Sequence, residues 1–325
     1  MSIALNLLYG VLGVAALYYG AEFLVRGGVN IARKLHISPL VIGLTLVAFA
    51  TSAPELVVSV NAALTGNPDI SLGNVVGSNI CNIALILGLC AAIAPLKVDR
   101  QLFRVDVPVM VLAAVLLVVF YLATGGVGRI FAVVFLAVFA VYMVWCVRQA
   151  RRNEKLEPEA VREAKDVIVQ SGGKKELNWL LAVLLVAVGL GLLVGGAKLF
   201  LMGSIYFARL VNVSDAVIGL TVVAVGTSLP ELATSVVAAF KGESDIAIGN
   251  VVGSNIFNIL FILGVAPLLA PLENATLSVV DMGMMLFCSV ILLPFMRTGW
   301  KLSRPEGVFL LATYAAYTAW LIIAG

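Results

Sequence analysis

Charge is what this chain has least of. Only 12% of its residues are charged, against 62% hydrophobic, where a water-soluble domain carries about 25% charged residues. A soluble globular protein is therefore excluded. Histidine is nearly absent, with His36 alone, and the four cysteines Cys81, Cys90, Cys146 and Cys288 show neither metal-ligand spacing nor a pairing pattern. That excludes an imidazole or thiolate metal centre and a disulfide scaffold, and leaves the cysteines as small apolar packing residues. A nucleophile–base pair is also missing, so an intramembrane enzyme finds no support. No basic tract suggests nucleic acid, no resident cofactor is implied, and nothing points to an obligate protein partner. The apolar run at 3–25 has no basic flank and no clear cleavage site, so it is expected to be a retained transmembrane helix.

What the chain does have is apolar runs of bilayer length. Mean hydropathy is +1.08, and the pattern predicts an all-α polytopic membrane protein with ten spans, near 3–25, 39–64, 69–94, 105–123, 128–147, 178–201, 215–240, 245–271, 277–296 and 305–324. The only substantial polar stretch, 148–177, separates a first repeat at 1–147 from a second at 178–325. Five spans per half is odd, so the halves must have opposite orientations. With both termini outside, 18 of the 21 Lys and Arg fall on the cytoplasmic side, together with the central loop. Trp145, Trp179, Trp300 and Trp320 fall near predicted span ends, where interfacial anchors belong.

The halves also share a segment. Residues 41–82 and 217–258 align without a gap at an offset of 176, with 28 of 42 positions identical. Each copy places a glutamate directly after a proline, at Pro54-Glu55 and Pro230-Glu231. A carboxylate at membrane depth is costly enough to mark function, and two in duplicated halves point to a transporter with its site at the repeat interface. Proline lacks an N–H and clashes with the preceding turn, so both helices must kink, freeing carbonyls near Ala50 and Gly226. Freed backbone at that depth has to be buried in protein or line a cavity. Thr51 and Glu55 lie four apart, hence on one helical face, with Ser52 one step round; Thr227, Ser228 and Glu231 repeat the pattern. In the following span Ser78 and Asn82 are again four apart with Asn79 beside them, matched by Ser254, Asn258 and Asn255.

All these groups offer oxygen, which suits hard cations such as Ca2+ or Na+. Two carboxylates balance one Ca2+ or two Na+, so the loads exclude each other, as exchange requires. Other polar residues read as structural. Gly73 with Gly77, and Gly249 with Gly253, allow close helix approach. Asn74 and Asn250 cap or cross-link helices, Asp69 and Asp245 are expected to be N-caps, and Glu22 to pair with Arg26 four residues on.

The segments GLTLVAFATSAPEL with GNVVGSNICN, and GLTVVAVGTSLPEL with GNVVGSNIFN, resemble the two alpha-repeats of the cation/calcium antiporter superfamily, whose best-known branch is the sodium/calcium exchangers. The resemblance implies a 5+5 inverted-repeat fold with broken helices 2, 3, 7 and 8 meeting at the midplane. It implies Glu55 and Glu231 as the main calcium ligands, completed by Thr51, Ser52, Ser78, Thr227, Ser228 and Ser254 and by carbonyls near Ala48 and Ala224, with Asn82 and Asn258 in the last positions. A compact prokaryotic member in the cytoplasmic (inner) membrane is implied, exchanging Ca2+ for Na+ by alternating access, with H+ as the alternative coupling ion. Many exchangers carry an Asp where this chain has Asn82 or Asn258, so the site here has two formal negative charges instead of three. A passive cation channel is the rival from another class, but a channel more naturally builds its pore from a symmetric oligomer than from inverted duplication within one chain.

Overall fold

In lipid every backbone N–H and C=O must find a partner within the chain, so these apolar runs become helices. A computed structural model describes residues 3–35, 37–156, 177–210, 224–273 and 275–324. Its helices are α1 (Ile3–Lys34), α2 (Pro39–Thr51), α3 (Ala53–Leu64), α4 (Pro68–Ile93), α5 (Leu102–Thr124), α6 (Arg129–Leu156), α7 (Trp179–Leu210), α8 (Ala224–Thr227), α9 (Leu229–Phe240), α10 (Ser244–Leu269), α11 (Val279–Arg297) and α12 (Arg304–Ala324). Eight of these are long and apolar enough to span a membrane, and α2 with α3 make a ninth bent by 46°. The expected span 215–240 is described only from Ala224 onward, as α8 and α9. Most of the expected linker, His36 and the terminal positions 1, 2 and 325 lie outside the described residues.

Three helices outrun their expected ends. α1 reaches Lys34, α7 reaches Leu210, and α6 continues to Leu156 because RQARRNEKL is rich in good helix formers that need no apolar environment. The third and eighth spans correct the expectation of broken helices. α4 and α10 run on without a break and instead widen into π-helical turns at Cys81–Leu87 and Phe257–Ile262. No proline interrupts either stretch, so the backbone loosens its hydrogen-bond register without leaving the helix.

The halves are tied at both ends. Strand β1 (Leu96–Lys97) pairs antiparallel with β2 (Lys301–Leu302). At the other end Val127 and Leu272 exchange backbone hydrogen bonds of 2.9 and 3.0 Å. Each tie joins loops that the inverted layout places on one side of the bilayer.

α1 and α7 pack against each other through glycines seven residues apart. A Cβ at Gly13 would sit 2.6 Å from the Phe200 backbone nitrogen, one at Gly20 2.9 Å from the Gly189 carbonyl, and one at Gly196 2.9 Å from the Leu17 nitrogen. Only glycine allows such backbone contact, and in lipid close packing of this kind drives helix association. Gly249 and Gly253 do the same for α10 against α2, where added Cβ atoms would lie 3.1 Å from the Leu40 carbonyl and 2.6 Å from that of Leu44. Among the described residues, a Cβ at Gly73 would meet only the Leu277 side chain, at 3.8 Å, and one at Gly77 nothing within 4 Å. α4 and α10 are the most buried spans and carry much of the core, including Val75, Ile80, Ile86, Val251, Ile256 and Leu260.

Candidate functional site

Proline decides where the site forms. Pro54 and Pro230 lie in the first turns of α3 and α9, where a missing N–H costs nothing, and the break falls two residues earlier. Ser52 (φ −83°, ψ 8°) and Ser228 (φ −89°, ψ 9°) occupy equivalent breaks. Glu55 and Glu231 therefore fall in the first turn of a new helix, where unpaired N–H groups and the positive end of the dipole favour a carboxylate. Both are fully buried.

The two acids are held crosswise. Ser52 Oγ donates to Glu231 Oε1 at 2.8 Å, and Ser228 Oγ donates to Glu55 Oε1 at 3.1 Å. Each glutamate thus takes its hydroxyl from the opposite repeat, and the breaks of both halves meet. Oε2 of each acid finds no hydrogen-bond partner among the described residues. An amide on the next helix steadies each acid from behind. Asn74 Nδ2 donates to the Glu55 carbonyl (3.1 Å) and to Ser59 Oγ (2.8 Å); Asn250 Nδ2 donates to the Glu231 carbonyl (3.4 Å) and to Ser235 Oγ (3.0 Å). Thr51 Oγ1 donates to Asn250 Oδ1 at 3.0 Å, linking α2 to α10.

On α4 and α10, Ser78, Asn82, Ser254 and Asn258 are all buried. Asn82 Nδ2 donates to Asn255 Oδ1 (3.0 Å), whose own amide donates to the Asn79 carbonyl (3.3 Å). Among the described residues the Ser78 and Ser254 hydroxyls, Asn82 Oδ1 and both side-chain atoms of Asn258 have no partner. Buried polar atoms without partners are costly and rare, and here they gather on the two helices that flank the glutamates. Such a set of oxygens, two of them on carboxylates, can replace the hydration shell of a hard cation.

The two carbonyls named with the site differ in their surroundings. The Ala48 carbonyl accepts from the Ser52 N–H (3.0 Å) and from Thr51 Oγ1 (3.3 Å), because the turn before the break closes on itself. In the second repeat the Ser228 N–H goes to Val225 instead (3.1 Å), so Ala224, the first residue of α8, is not engaged in the same way. Thr227 ends α8 as Thr51 ends α2. Asp69 and Asp245 are not N-caps; those positions belong to Asn67 and Glu243. Asp69 instead accepts from the Thr276 N–H (2.5 Å) and hydroxyl (3.1 Å), tying α4 to the other repeat. Glu22 pairs with Lys241 at 2.5 Å rather than with Arg26, because the end of α9 packs beside α1.

Sequence reasoning passed over Ser59 and Ser235, although each follows its glutamate by four residues and recurs in both copies. It also passed over Asp106, which is buried and accepts from Tyr142 at 2.9 Å, and its counterpart Asp281, which accepts from Tyr317 at 2.7 Å. These pairs fall outside the duplicated motif, and no short-range spacing reveals them.

The chain matches known proteins along nearly its whole length. The family model described as sodium/calcium exchanger protein matches residues 5–148 and 181–323. The sodium/calcium exchanger MaX1 of Methanosarcina acetivorans is 38% identical over 97% of this chain and 98% of its own length. Inner membrane protein YrbG of Escherichia coli is 35% identical over 96% and 95%. A structure of the sodium-calcium exchanger NCX_Mj, soaked with Na+ and Sr2+, superposes with a TM-score of 0.83 at 35% identity, covering 98% of this chain and 99% of that one.

Proposed function

We propose that this chain, which belongs to the sodium/calcium exchanger family, exchanges Ca2+ for Na+ across the cytoplasmic membrane of a prokaryote by alternating access. The observation that carries the reading is the crossed pair of buried glutamates, each bonded to a serine of the opposite repeat and each with one oxygen left over. Glu55 and Glu231 are the principal cation ligands in this reading. Thr51, Ser52, Ser78, Thr227, Ser228 and Ser254 supply hydroxyls, carbonyls near Ala48 and Ala224 complete the set, and Asn82 and Asn258 close the shell. Ca2+ accepts such a large, irregular oxygen shell, which Mg2+ does not. Because one Ca2+ and two Na+ balance the same two carboxylates, either load fits and the two exclude each other.

Both termini lie outside and the central loop in the cytoplasm in this reading, supported by the distribution of Lys and Arg. A domain division at 1–147, 148–177 and 178–325 accompanies it. A Ca2+/H+ exchanger is the second reading, supported by the neutral side chains at Asn82 and Asn258: with only two carboxylates, two protons also neutralise the site. The deciding measurement is Ca2+ flux in proteoliposomes at clamped membrane potential, with either a Na+ or a H+ gradient imposed. Na+-driven flux is expected. Equal flux from a H+ gradient with Na+ absent overturns the choice of coupling ion.

A further inference from the structure

Away from the glutamates, one end of the molecule gathers exposed basic side chains from three elements: Lys97 beside α5, Arg100 and Arg104 at its start, Arg297 at the end of α11, and Lys301 and Arg304 around β2. At the centre is Trp300. Its indole is half-buried, with the Arg100 guanidinium 5.7 Å and the Arg297 guanidinium 5.5 Å from its ring centre. Arg297 also lies 5.8 Å from the Phe103 ring, which meets Trp300 edge-on at 5.5 Å.

Sorting of Lys and Arg to one side of the bilayer explains why basic residues occur here. It does not explain why two arginines share one indole. Like charges repel, and ordinary surface arginines spread apart into water or pair with acids. The nearby acids are already used: Asp99 accepts from the Gln101 N–H at 2.6 Å, and Glu306 accepts from both the Ser303 N–H and its hydroxyl at 2.6 Å. Neither Arg100 nor Arg297 has an ion-pair partner among the described residues. The backbone adds a second, independent observation. Trp300 has φ 53°, the one non-glycine residue with positive φ among those described. Bulky side chains rarely adopt that conformation, and it persists only where the surroundings impose it. Here the Gly299-Trp300 turn leads into β2, whose pairing with β1 brings the indole within 6 Å of arginines from both halves.

We propose that Arg100 and Arg297, stacked on Trp300, bind the phosphate of an anionic phospholipid headgroup at the junction of the two repeats. Guanidinium forks match phosphate oxygens with paired hydrogen bonds. Stacking on an aromatic face presents the forks while leaving their N–H edges available. The place fits a lipid, because three apolar helices of bilayer length begin or end here, α5 at Leu102, α11 at Arg297 and α12 at Arg304, and basic clusters beside such spans attract anionic headgroups.

Trp300 is its own reporter once Trp145, Trp179 and Trp320 are replaced by Phe. The full chain in neutral detergent is titrated with phosphatidylglycerol, phosphatidylcholine or inorganic phosphate while Trp300 emission is followed, and retained lipid is counted by native mass spectrometry. Phosphatidylglycerol is expected to give a saturable change and to be retained, with no response to the other two. Each basic residue near an anionic headgroup contributes about fivefold, so R100Q/R297Q should weaken binding roughly 30-fold. An equal response to phosphatidylcholine, or unchanged affinity in R100Q/R297Q, overturns the proposal. A response to inorganic phosphate alone overturns the assignment to lipid. Should the Gln pair fail to fold, R100K/R297K keeps the charge and loses the fork; several-fold weaker retention is expected, and unchanged retention overturns the guanidinium contact.

Discussion

Replacing Ser52 by alanine tests the crossed arrangement directly. The hydroxyl donates 2.8 Å to Glu231 Oε1, and both residues have 0% exposure, so water cannot replace it. A hydrogen bond to a charged group contributes about 1.5–3 kcal/mol, which corresponds to roughly 10- to 150-fold in an equilibrium constant. In the proposed site, loss of the hydroxyl also removes one neutral oxygen ligand and lets the carboxylate turn. The concentration of Ca2+ giving half-maximal uptake into Na+-loaded proteoliposomes should therefore rise by about that factor for Ser52→Ala. The mirror contact, from Ser228 to Glu55, is longer at 3.1 Å, so Ser228→Ala should fall at the lower end of the range. Thr at either position keeps the hydroxyl and should recover most of the affinity. Insertion and monodispersity of each variant are checked by size-exclusion chromatography. A Ser52→Ala protein that is well folded and has a half-maximal concentration within twofold of the unsubstituted chain would refute the reasoning, because it would mean that the serine–glutamate contact plays no part in cation binding.

Glu55→Gln and Glu231→Gln each leave a single charge facing the cation; breaking a buried ionic arrangement costs about 3–5 kcal/mol, so Ca2+ flux should fall more than about 100-fold with the protein still folded, and near-normal flux from either removes it from the site. Asn258→Asp adds a third carboxylate and should strengthen cation binding and change the charge moved per cycle, both measurable in voltage-clamped vesicles; no change in either places Asn258 away from the cations. Gly20→Ala pushes a Cβ to 2.9 Å from two backbone atoms of α7, whereas Gly10 has nothing within 4 Å. The first should lower stability in detergent by about 1–3 kcal/mol and Gly10→Ala by much less, and equal effects would contradict the interlocked packing. Single cysteines at Ser2 and Gly325 in a cysteine-free background should react with an impermeant reagent from outside the cell; labelling from the cytoplasmic side alone reverses the proposed orientation.

The glutamates were legible because three signals coincided: membrane depth, a preceding proline and exact duplication at an offset of 176. The same proline logic located the breaks within two residues. What the linear pattern could not supply was partnership across the halves. Helical periodicity puts Ser52 near the face of Glu55, yet its hydroxyl goes to Glu231, because the two breaks meet head to head. Asp69 has the spacing of a cap and serves the Thr276 loop instead; Glu22 has the spacing of a helical pair and reaches Lys241. In each case a long-range neighbour outcompetes the local one, and no window of sequence contains it. The π turns of α4 and α10 were equally hidden. They carry no proline or glycine to mark them, and arise where long apolar helices adjust their register to packing on both sides.

The crosswise bonding of the two acids has an evolutionary consequence. Neither half supplies both members of a serine–glutamate contact, so a half-length ancestor could have assembled this pair only by meeting a copy of itself upside down in the same membrane. In such an ancestor a single gene product took both orientations, so every substitution altered both sides of the pair at once. Joining the copies lifted that restriction. Gly226 could then replace the counterpart of Ala50, Leu229 that of Ala53, and Lys198 that of Glu22, while the crossed contacts kept the rest of the motif in step.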